Sequence, residues 1–64
     1  MTEIQKQIEI ATYYAFCLND LESDSTLDEM NITLSGFKED ENYLACEGLT
    51  RAIKDYNLIQ EQNG

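Results

Sequence analysis

Between residues 2 and 21 the apolar positions Ile4, Ile8, Ala11, Tyr14, Ala15, Leu18 and Leu21 recur at three- and four-residue steps. At about 100° per residue they fall on one side of a helix. Thr2 followed by Gln5 forms a capping box ahead of the run, and Glu3 puts a carboxylate at the positive end of the helix dipole. Ile10 and Cys17 widen the stripe, Tyr13 extends it, and Phe16 falls on the polar side beside Glu9 and Thr12. A stripe that broad predicts burial against more than one surface.

Residues 21–25 are acidic and carry no periodicity, so they read as a loop. Next, Leu27, Met30, Leu34 and Phe37 step by helical intervals, Thr26 with Glu29 makes a second capping box, and Gly36 stands where a helix C-terminal glycine belongs. Met30, Ile32 and Leu34 also alternate, with β-branched Ile32 and Thr33 among them, which is a strand signal. Two end signals agree with the helical period, so a short helix over about 26–35 is favoured over a strand. A second long helix follows over about 38–59, with Ala45, Cys46, Leu49, Ala52, Ile53 and Tyr56 on one face and Glu39, Asp40 and Glu41 loading its first turn. Gly48 inside this helix costs roughly 1 kcal/mol relative to alanine, and it marks a close helix–helix approach or a weak point. Tyr43, Leu44 and Leu58 lie off the main stripe.

The fold class that follows is all-α: one small domain over 1–64, with two long amphipathic helices flanking a short third element and a frayed tail over 60–64. At 64 residues the chain is near the lower limit for a self-sufficient core, so pairing with a second copy into a dimeric bundle is an expectation of the reading. Met1-Thr2-Glu3 begins neither a signal peptide nor an apolar anchor, and a cytoplasmic location is expected.

Charge changes the picture most. There are 13 acidic residues against 4 basic ones, a formal net charge of −9. From Asp20 to Glu41, eight carboxylates (Asp20, Glu22, Asp24, Asp28, Glu29, Glu39, Asp40 and Glu41) stand against Lys38 alone, which is seven of the nine net charges.

Candidate chemistry is thin. The chain has no histidine, Cys17 and Cys46 lack metal-ligand spacing and sit among apolar neighbours, and no paired carboxylates are set in an apolar run that would split their pKa values. No enzyme activity and no cofactor are expected. Asp20, Glu22 and Asp24 alternate as the ligands of an EF-hand loop do, but Ser25 replaces the turn glycine and Asn31 the final glutamate, so no metal site is expected. The span from Thr26 to Asn42, with Gly36 near its turn, has the outline of a helix-turn-helix. Its second helix would open with Glu39, Asp40 and Glu41 against phosphate, which excludes direct nucleic-acid reading.

The expected function is therefore protein–protein interaction. The acidic belt would engage the basic surface of a nucleic-acid-handling partner, in the manner of a nucleic-acid mimic and of the inhibitors or regulators that phages and mobile elements carry. Phe16, with Tyr13, Tyr43 or Phe37, would supply apolar anchors. The competing expectation is a helical homo-oligomer or assembly subunit acting through an apolar interface.

Overall fold

The computed structural model describes residues 1–23 and 25–63 and is all-α among them: α1 (Glu3–Ser23), α2 (Leu27–Glu39) and α3 (Tyr43–Asn63). The starts of α1 and α2 follow from local chemistry. The predicted capping box at Thr2 is closed in both directions, with the Thr2 N–H donating to Gln5 Oε1 at 2.9 Å and the Gln5 N–H donating to Thr2 Oγ1 at 3.1 Å. At Thr26 the extended backbone (φ −93°, ψ 164°) and the Glu29 N–H donating to Thr26 Oγ1 start α2 where its capping box predicts. The third element is thus a helix and not a strand.

Its far end differs from expectation. Gly36 does not terminate α2, which continues to Glu39. Phe37 explains the extra turn: it packs on the core and meets Tyr13 edge-on, ring centroids 5.6 Å apart at 67°, so ending the helix at residue 35 would forfeit that burial. The chain reverses instead at Glu41, which takes a left-handed φ of 59°. Asn42 then starts α3, its Oδ1 accepting from the Ala45 N–H at 3.4 Å and its carbonyl from the Cys46 N–H. Consequently α3 begins at Tyr43 and not near Lys38, and the span with a helix-turn-helix outline is mostly one helix. The other boundaries move less. Residues 21–23, expected in a loop, complete α1, and of the tail expected to fray, residues 60–63 continue α3 while Gly64 lies outside the described residues.

Packing rests on small side chains. Ala45, Gly48 and Ala52 form a buried seam on α3, with Leu49 beside it, and α1 lies against them through Ile10, Cys17 and Leu21. At Gly48 the backbones approach so closely that a Cβ would stand 2.6 Å from the Ile10 carbonyl oxygen and 2.9 Å from the Tyr14 nitrogen. Met30 carries α2 onto the same core, with Leu27, Leu34 and Phe37 partly covered. No helix among the described residues is long and apolar enough to cross a membrane.

The buried face of α1 is not the stripe the periodicity ranks first. Tyr14, Leu18 and Leu21 belong to both, but Ile10, Tyr13 and Cys17 face the core while Ile4, Ile8, Ala11 and Ala15 face out, Ile4 at 74% exposure and Ile8 at 59%. The reason lies in α3: α1 presses most closely on Gly48, through the backbone of Ile10 and Tyr14, and the side that meets this small residue is the side that is buried.

A polar contact links α1 to the far half of α3. The Tyr14 hydroxyl donates to Asp55 Oδ2 at 2.6 Å. That bond to the carboxylate, then burial, then the negative charges of Asp55 and Glu22 raise the Tyr14 pKa above its ordinary value near 10. Because the folded value lies above the unfolded one, the contact stabilises fully below about pH 10 and is lost as pH rises through the raised pKa. Urea unfolding should accordingly show a Tyr14→Phe variant that is weaker at pH 8 and loses less stability than the parent on going to about pH 11. Equal losses in both proteins would contradict the linkage.

Candidate interaction surface

The acidic belt occupies the two ends of α2. Asp20 and Glu22 close α1, Asp28 and Glu29 open α2, and Glu39, Asp40 and Glu41 form its last residue and the turn beyond. All are exposed except Asp20, which is half-buried. Asp24 lies outside the described residues. Asp28 and Glu39 are separated by eleven helical steps, about 16 Å at 1.5 Å per residue. Between them the outer side of α2 carries Asn31, Ile32 and Ser35, exposed and uncharged. The belt is therefore two clusters and not one continuous array.

The expectation that Glu39, Asp40 and Glu41 occupy the first turn of the last helix is corrected: α3 has no acidic residue in its first turn. They stand instead where the negative pole of α2 meets the positive pole of α3, so the dipole gives them little net stabilisation. Nor are they neutralised. Among the described residues the one ion pair is Arg51 with Glu47 at 2.7 Å, both exposed on α3, and it involves no residue of the belt.

Between the clusters lies an apolar groove of about 300 Å³, lined on α1 by Thr12, Tyr13, Phe16 and Cys17, on α2 by Met30, Thr33 and Phe37, and floored by Leu49. Its walls come from helices that scarcely touch each other, both leaning on α3. Two of the lining residues are polar by type yet present methyl groups, since the Thr12 hydroxyl donates to the Ile8 carbonyl and the Thr33 hydroxyl to the Glu29 carbonyl. Phe16 stands at the edge, 64% exposed. Of the aromatic residues predicted as anchors, Phe16, Tyr13 and Phe37 come together here, while Tyr43 is exposed and not among the lining residues. Thr12, Met30 and Thr33 carry no sequence signal as site residues, because a groove between two helices has no period of its own.

Cys17 lies at the inner end of the groove, fully buried, and its thiol pKa is raised by burial and then by Asp20. A raised pKa keeps the less reactive protonated form. A water-soluble disulfide reagent should label half-buried Cys46 in the native protein and spare Cys17 until unfolding. Rapid labelling of a Cys46→Ser variant would contradict a closed groove floor.

The sequence matches no known family model, no curated protein and no solved structure.

Proposed function

We propose that this chain is a protein-interaction module whose groove takes an apolar side chain of a partner while the acidic clusters on either side hold lysine and arginine residues flanking it. The observation that carries the reading is the coincidence of exposed Phe16 and an apolar groove with two carboxylate clusters, one at each end of α2, that are unpaired among the described residues. A solubilising surface needs neither the groove nor the clustering. The partner side is accordingly basic with an apolar centre, the usual composition of an anchor surrounded by a charged rim.

Nucleic-acid-binding proteins carry such basic surfaces to neutralise phosphates, and mimicry of nucleic acid is the finer form of the proposal. The uncharged stretch of α2 favours a partner with two basic patches over one with a continuous cleft. Inhibition or regulation of that partner, as by a phage or mobile-element protein, is the activity such occupancy would have.

Capture from lysate on immobilised protein, compared with a Glu39→Lys, Asp40→Lys, Glu41→Lys variant, tests the proposal. Basic proteins retained by the parent, released by raised salt and absent from the variant would support it. Their release by a DNA oligonucleotide would support the mimicry form, and retention of the same proteins by both would overturn the whole.

A further inference from the structure

The uncovered face of α1 has a symmetry of its own. Ile4, Ile8, Ala11 and Ala15 lie within about 60° of one another around the helix, all exposed, and they lead away from both the α3 seam and the α1–α2 groove. Their numbers are palindromic: 4 with 15 and 8 with 11 are equidistant from a point between residues 9 and 10. If a second α1 is laid antiparallel across that point, Ile4 meets Ala15 and Ile8 meets Ala11 of the other copy, in both directions. Large faces small at every step, which is how a close helix pair fills its seam. Such reciprocity is what a two-fold interface requires, because residue i must fit residue j and j must fit i.

The neighbouring positions agree. Met1, 71% exposed, falls opposite partly buried Leu18. Before Asp20 the only charged side chains are Glu3, Lys6 and Glu9, so this is the part of the molecule least opposed to meeting itself despite a net charge of −9. Area agrees as well. The chain exposes 4603 Å², about 400 Å² more than the surface expected of a monomer of its mass. Twice that excess, about 800 Å², is below the roughly 1,200 Å² at which stable pairs begin, which fits only a weak, reversible dimer.

We infer that the protein forms a two-fold homodimer in which the α1 helices pair antiparallel through Ile4, Ile8, Ala11 and Ala15. The acidic belt and groove lie on other faces, so each copy offers its own partner surface and the assembly is bivalent. Salt acts on the two associations with opposite sign: it screens repulsion between like-charged copies and strengthens the dimer, while it weakens contacts made by the belt.

Sedimentation equilibrium from about 5 to about 500 µM, a range bracketing a micromolar dissociation constant, is the test. The expected mass rises from that of one copy to that of two. Ile8→Lys and, separately, Ile4→Lys should hold it at one copy with helical content unchanged by circular dichroism, since both side chains are exposed. Ile8→Ala and Ala11→Ile should each weaken the dimer on the order of tenfold, the first by a void and the second by isoleucine against isoleucine. The double variant restores one large and one small residue at each contact and should recover most of the loss. A monomer throughout the range, a dimer untouched by both lysine variants, or a double variant no better than the sum of its parts would each overturn the inference.

Discussion

Alanine at Gly48 should destabilise the fold by about 2–3 kcal/mol, the cost of inserting a methyl group into a contact that cannot yield. The contact is unyielding because the atoms met at under 3 Å are the Ile10 carbonyl oxygen, the Tyr14 nitrogen and the Cβ of Tyr13, all of them backbone or rigidly attached to it. Alanine relieves about 1 kcal/mol of helix propensity at the same time, and the expected loss is net of that gain. For a domain of this size, whose total stability is about 3–10 kcal/mol, such a loss removes a large share of the folded margin. Gly36 supplies the control. It is exposed, lies inside α2 and has open space where a Cβ would stand, so alanine there should stabilise by about 0.5–1 kcal/mol. Thermal or urea unfolding of the two variants would measure both signs. A Gly48→Ala protein as stable as the parent would mean that α1 and α3 are not in backbone contact.

Reversal of Glu39, Asp40 and Glu41 to lysine should weaken binding of a basic partner by at least a hundredfold, about 3 kcal/mol. Each exposed pair contributes only about 0.2–1 kcal/mol. Three reversals, however, remove three attractions and install three repulsions, and rim charges of one sign act together on the rate of encounter. Folding should be nearly untouched, because none of the three is buried or ion-paired among the described residues. The same substitution at Asp28 and Glu29 separates the two clusters: if the partner bridges both, either reversal abolishes most binding, whereas a partner of one cluster ignores the other. Asp28 and Glu29 also stand in the first turn of α2, so their reversal carries a stability cost of about 0.3–1 kcal/mol each that the Glu39–Glu41 variant does not. Phe16→Ala completes the series. It removes the exposed edge of the groove without altering charge, and it should weaken binding while leaving the salt dependence unchanged. A salt dependence that vanished with Phe16 would place the carboxylates in a merely solubilising role.

The number and kind of elements follow from local information. Apolar periodicity marks all three helices, Thr2 and Thr26 mark two of the starts, and the oddity of a glycine at position 48 inside a strong helix is explained by the contact it makes. The uneven charge is equally a property of the chain alone. Three things are not. Periodicity gives the width of the α1 stripe but not which edge of it is buried, because that depends on where the small residues Ala45, Gly48 and Ala52 of another helix happen to lie. The end of α2 depends on Phe37 finding Tyr13, a contact 24 positions apart in the sequence, which outweighs the local stop signal of Gly36. And the groove exists only because α1 and α2 both lean on α3 and leave a gap between them. In each case the deciding energy is burial against a distant segment, which a one-dimensional pattern does not contain.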